Sequence, residues 1–225
     1  MAKNKPALFI IFLTVFIDLV GFGIIIPLSP YLATRFGATP FEVGMLMAIY
    51  SFMQFLFSPV WGRLSDRFGR RPIILISLFG TGLAHLVFAF SSQLWMLFVS
   101  RALAGVAGGN ISTAMAYVAD ITGEKDRSKG MGLVGAAFGL GFILGPVIGG
   151  VLGEVGLKIS EAPPFGAGFP ALGAAALCLF NFLLGLRILA ESLPPERRRV
   201  RHANGNRFEV ITEYFRRPVI GPLLW

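Results

Sequence analysis

Gly62-Arg63-Leu64-Ser65-Asp66-Arg67-Phe68-Gly69-Arg70-Arg71-Pro72 is a short, densely charged hinge between two long apolar runs. Charge is scarce elsewhere: the 225-residue chain is 55% hydrophobic and only 14% charged. Gly62 and Gly69 permit tight turns and close backbone approach. Pro72 suits the first turn of a following helix, where its missing N–H costs nothing. Arginines at 63, 67, 70 and 71 on so short a connection hold it on the cytoplasmic side of a membrane. Taken alone, such a hinge also fits a plain solvated connector.

The composition, with a mean hydropathy of +0.72, excludes a soluble domain, because too few charges remain to cover the surface of so apolar a chain. The net charge of +8 does not imply nucleic acid, since the basic residues cluster between apolar runs as membrane topology requires. Cys178 is the single cysteine, so no disulfide framework exists within the chain. It reads as a small packing residue.

Windows of about 20 apolar residues cross a bilayer. Six are expected, near Ala7–Leu32, Phe41–Trp61, Pro72–Phe90, Leu94–Val118, Lys129–Gly153 and Phe169–Leu189. The first is too long for a secretory leader. Lys3 and Lys5, the Arg63–Arg71 hinge, Lys125, Arg127 and Lys129, and Arg197 through Arg217 fall on alternate connections, with Arg35 and Lys158 opposite. That asymmetry places both ends of the six-helix unit in the cytoplasm. The expected domains are a transmembrane bundle over 1–190, a basic cytoplasmic linker over 191–217 and the start of a seventh helix over 218–225. Within the linker, Phe208 to Phe215 can form a short amphipathic surface helix.

Gly141, Gly145 and Gly149, at i, i+4 and i+8 in the fifth span, offer a small-residue face for close helix contact, with Gly135 and Gly139 just before them. Pro146 should bend that span. A charge at membrane depth costs about 2.5–3.5 kcal/mol on insertion scales, so Asp18 and Arg101 each require a reason. Asp18 lies mid-span beside Gly21 and Gly23, with Pro27 and Pro30 expected to break the helix beyond. It is either a proton-exchanging carboxyl or a structural hydrogen-bond acceptor. Arg101 stays ionised when buried and must face a cavity or a carboxylate, for which Asp18 is the nearest chemical candidate, or else snorkel. Gln54, Asn110 and His85 either line a pathway or stitch helices together. Asp120, at the end of the fourth span, reads as an ion-pair partner for the basic hinge. No nucleophile–base arrangement, metal-ligand spacing or phosphate loop is present in the sequence. The chain is therefore read as no enzyme, with no cofactor and no metal.

The ordered motifs resemble the drug/proton antiporter branch of the major facilitator superfamily, most closely its tetracycline/proton antiporters. They are Asp18-x-x-Gly21-x-Gly23, the Gly62–Pro72 loop, Leu97–Gly109 around Arg101, Tyr117–Thr122, and Gly141 through Gly145-Pro146-x-x-Gly149-Gly150. The resemblance implies an all-α integral membrane protein: a six-transmembrane-helix bundle built as two three-helix inverted repeats and forming the N-terminal half of a major facilitator fold. It implies proton-coupled efflux of a lipophilic small molecule by alternating access in a bacterial inner membrane. Asp18 and Arg101 would carry proton coupling. Gly62, Asp66, Arg67, Gly69, Arg70, Arg71 and Asp120 would form the gate, Gly141, Gly145, Pro146 and Gly149 the antiporter motif, and Gln54, Asn110 and His85 the substrate path. One departure stands out: Ala84 occupies the position of the third-helix acid of tetracycline antiporters, which points to another substrate. The expected partners are the substrate, protons, the bilayer, and a C-terminal six-helix half or a second copy, with no nucleic acid. The alternative is a non-transporting six-helix scaffold.

Overall fold

The computed structural model describes residues 5–109, 111–123 and 126–198. Asn110, the linker beyond 198 and the expected seventh helix lie outside the described residues. The elements are α1 (Lys5–Arg35), α2 (Pro40–Phe68), α3 (Arg70–Ala89), α4 (Leu94–Gly108), α5 (Ile111–Ile121), α6 (Arg127–Ile159) and α7 (Phe169–Ile188). With α4 and α5 taken together as the fourth, six helices among the described residues are long and apolar enough to cross a bilayer. In hydrocarbon every backbone group must be satisfied internally, which helices do.

The principal helix pairings are α1 with α6, α3 with α7, α2 with α4, α3 with α4 and α1 with α7. Exchanging spans one, two and three for four, five and six turns the α1–α6 pair into the pair of α4 with α2. The same exchange turns α3–α4 into α7–α1 and leaves α3–α7 unchanged. The pattern is that of two three-helix repeats, and an odd number of spans per repeat makes them inverted.

Two expected helix ends differ. α1 continues through Pro27 and Pro30 to Arg35. The Ser29 hydroxyl donates to the Ile25 carbonyl at 2.8 Å and Thr34 to the Tyr31 carbonyl at 2.8 Å, which are not the Gly23 and Ile26 carbonyls that the two prolines deprive of an N–H. α2 begins on a capping box between Thr39 and Glu42 and runs past Trp61 to Phe68. The charged hinge is therefore almost wholly helical. Gly62 sits inside α2 in open space, while Gly69, with φ 105°, makes the turn alone.

The buried stripe of α6 includes Gly141, Gly145 and Gly149. It lies against Leu19, Gly23 and Ile24 of α1, so closely that a side chain on Gly145 would meet the Gly23 backbone. Gly135 and Gly139 differ from the expected packing role, since nothing lies within 4 Å of where their side chains would be. α6 is helical without interruption across Pro146. In lipid such contact is dispersion and geometry, with no hydrophobic force behind it. Gly145→Leu is accordingly expected to destabilise the bundle by about 2 kcal/mol or more through overpacking, read as a lower midpoint of detergent thermal unfolding. Gly135→Leu, on the open face of the same helix, should leave the midpoint unchanged or raise it.

Candidate functional site

Close approach of α1 and α6 at Gly23 fixes the depth and rotation of Asp18, one and a half turns earlier on α1. Asp18 lines a cavity of about 20 Å³ together with Thr14, Leu19, Ile74, Ile111, Ala114 and Val134. That is room for one water molecule. Asp18 Oδ1 and the Thr14 hydroxyl oxygen are both buried with no hydrogen-bond partner. Buried polar atoms are normally paired, so such exceptions demand explanation.

Arg101, two turns into α4, is 1% exposed. Its guanidinium lies 4.5 Å from the Tyr50 ring centroid and 5.7 Å from that of Phe22. These aromatic faces attract the cation where water is excluded. They do not satisfy its hydrogen-bonding capacity, and Nε and Nη1 are buried without acceptors. Among the ion pairs of the described residues, none joins Arg101 to Asp18. The direct pairing considered from sequence is not made in this conformation. Tyr50 lies within electrostatic range of both groups.

Tyr50 also organises α2 against α4. Gln54 Nε2 donates to the Gly108 carbonyl at 2.9 Å and to the Tyr50 hydroxyl at 3.3 Å. Trp61 Nε1 donates to the Val106 carbonyl at 2.5 Å, and the Ser77 hydroxyl to the Ala107 carbonyl at 2.6 Å. Three successive carbonyls near the end of α4 thus each accept a side-chain donor. Gln54 stitches two helices and, with Ser51, Phe55, Ser58, Gly109 and Ser112, lines an open depression of about 590 Å³. His85 is enclosed between helices, with Nδ1 3.7 Å from Cys178 Sγ. Ala84 is fully buried, and its carbonyl accepts from Ser100 at 2.8 Å.

At the hinge, Arg70 forms the centre. Nη1 donates to Asp66 Oδ1 at 2.6 Å and to Ser65 Oγ at 2.7 Å, and Nε lies 3.2 Å from Asp120 Oδ2. Arg71 turns the other way and donates to the Leu186 carbonyl of α7 at 2.6 Å. Arg67 stacks over Phe68, 5.0 Å from its centroid.

Sequence reasoning missed four residues. Asn181, fully buried in α7, donates to the Thr14 carbonyl at 2.7 Å and leaves Oδ1 unpaired. A lone amide between Phe180 and Phe182 was signal enough to flag it. Tyr50 and Trp61 carried no such signal, being aromatics among many. Glu191 falls at the start of the expected linker.

The Major Facilitator Superfamily profile matches residues 11–225. The chain is 41% identical over 199 residues to "Tetracycline resistance protein, class C" of Escherichia coli, covering 87% of this chain and 48% of that protein. It is 39% identical to "Multidrug resistance protein 2" of Bacillus subtilis (strain 168), covering 87% and 47%. Among solved structures, the human organic anion transporter MFSD10 (TETRAN) superposes with a TM-score of 0.73 at 30% identity, over 92% of this chain and 52% of that one. The chain spans about half the length of the curated relatives it matches. With six spans in two inverted repeats and a matching profile over most of its length, this multi-pass membrane protein belongs to the major facilitator superfamily.

Proposed function

We propose that the chain is the first six-helix half of a proton-coupled exporter of lipophilic small molecules, working by alternating access in a bacterial inner membrane. The observation that carries this reading is the Asp18–Arg101 pair of exceptions. A half-buried acid and a buried cation stand at membrane depth, each with buried polar atoms unpaired, in a chain whose relatives are named for tetracycline and multidrug resistance. Keeping unpaired polar atoms in low dielectric costs free energy that a static scaffold has no reason to bear. A group that gains and loses a proton during a cycle does have a reason, because no single arrangement suits both states.

Asp18 would take its proton by way of the one-water cavity, with the Thr14 hydroxyl as the second polar contact for that water. Arg101, resting on Tyr50, would supply the fixed positive charge that favours ionised Asp18 once the helices shift. The Arg70 cluster would close the cytoplasmic side through Asp66 and Asp120. An inward proton releases about 2.3 kcal/mol per 100 mV of membrane potential, and substrate expulsion would draw on it. Ala84 in place of the third-helix acid favours a substrate other than tetracycline. The apolar faces of α2 and α6, with Phe52, Phe55, Ile143 and Val147 exposed, would meet a second six-helix half or a second copy.

The test uses everted membrane vesicles holding a pH gradient, with the chain supplied together with its second half. Candidate lipophilic drugs should collapse the gradient, and Asp18→Asn should abolish that exchange. Asp18→Asn vesicles that exchange like the unaltered protein would remove Asp18 from the mechanism. Arg101→Lys keeps the charge but loses the planar fork and its stacking, so exchange should fall roughly tenfold with expression unchanged. A full-rate Lys variant would mean that charge alone matters. A cysteine replacing Arg67, on the exposed hinge, should react with a membrane-impermeant maleimide in everted vesicles and not in intact cells. The opposite pattern would invert the topology.

A further inference from the structure

The segment that leaves the sixth span does not run free. Glu191 Oε1 accepts the backbone N–H of Arg70 at 2.8 Å, and Oε2 accepts that of Arg71 at 3.3 Å. These are first-turn N–H groups of α3, which have no partner within their own helix. The carboxylate also sits where the positive end of the helix dipole favours an anion. Its neighbours extend the seam. Ser192 donates to Asp120 Oδ2 at 3.1 Å, the Tyr117 hydroxyl donates to the Ala190 carbonyl at 2.9 Å, and Arg71 holds the Leu186 carbonyl. Glu191 Oε1 closes the strap on itself by accepting the Leu193 N–H at 3.0 Å. Arg198 lies 3.9 Å from Glu191 Oε2. Leu189 and Leu193 are buried beneath the strap.

Gly69 makes this docking sterically possible. It is the one residue between α2 and α3, at φ 105°, and a side chain there would collide with the Glu191 carboxylate. The glycine therefore serves both the turn and the approach of an acid from 122 positions further along the chain.

We propose that Glu191 is a positioning residue for the hinge. It caps α3, and so sets where Arg70 enters between Asp66 and Asp120, and it ties the start of the linker to that loop. Asp120 accepts from Arg70 and Ser192 on the same oxygen, so displacement of the strap reaches the ion cluster directly. Under the function proposed above, the linker to the second half and the cytoplasmic gate are then one mechanical unit. The contact itself does not depend on that reading.

Hydrogen exchange measured by mass spectrometry on the purified full chain tests it without any transport assay. In Glu191→Gln and Glu191→Ala, exchange at Arg70, Arg71 and Leu193 should rise roughly tenfold or more, as expected for losing hydrogen bonds to a charged acceptor. The segment 16–25 in the middle of α1 should exchange as before. Unchanged exchange at the start of α3 in both variants would overturn the proposal. Equal acceleration at 16–25 in both would also overturn it, by making Glu191 a general support of the bundle and not a clamp on the hinge. Failure of proton exchange in vesicles, with the clamp intact by this measure, would count against the transport reading alone.

Discussion

A hydrogen-bonding group inside a bilayer has no water to turn to, and its partner must come from the bundle. This constraint accounts for much of how these helices meet. Asn181 holds the Thr14 carbonyl, Ser77 and Ser100 hold carbonyls of Ala107 and Ala84, and Gln54 and Trp61 hold the end of α4. Each bond joins one helix to another and adds direction to contacts that dispersion alone would leave free to slide. Asp18, Thr14 and Arg101 keep buried polar atoms unpaired, as do Arg71, Thr81, Thr113 and Asn181, and the proposed site is built on the first three.

The site and the hinge share the same helices. α4 carries Arg101 at its midpoint and is followed through α5 to Asp120, while α3 starts at Arg70. α1 carries Asp18 and is locked against α6 by glycine at Gly23 and Gly145. A change in the charge of Asp18 alters the forces on α1 and α4. Under the function proposed above, α5 would carry that change toward Asp120, which holds Arg70.

Much of this was legible in the chain. The six spans follow from runs of apolar residues long enough to cross a bilayer, and the repeats follow from their number and the family motifs. Helix ends were not legible. Pro27 and Pro30 read as breaks, yet α1 continues through both to Arg35. The charged hinge read as a loop, yet Ser65 donates to the Gly62 carbonyl at 2.8 Å and the helical turn persists until Gly69. Asp18 and Arg101 were found because charge in an apolar run is conspicuous. Their environments were not, since the Tyr50 ring beneath Arg101 and the absence of a direct pair depend on helix rotation. Glu191 was hidden by its neighbours: an acid in a polar, basic segment looks like solvated linker until the fold brings it to the start of α3.

The central claim is that Asp18 changes protonation state inside the bundle. Infrared difference spectroscopy of the reconstituted protein across a pH titration, with Asp18→Asn as the reference, measures it most directly. The account predicts a carboxylic-acid carbonyl band that grows on acidification and is missing from the variant. A band that persists unaltered in Asp18→Asn, or no carboxyl band that responds to pH, would contradict it.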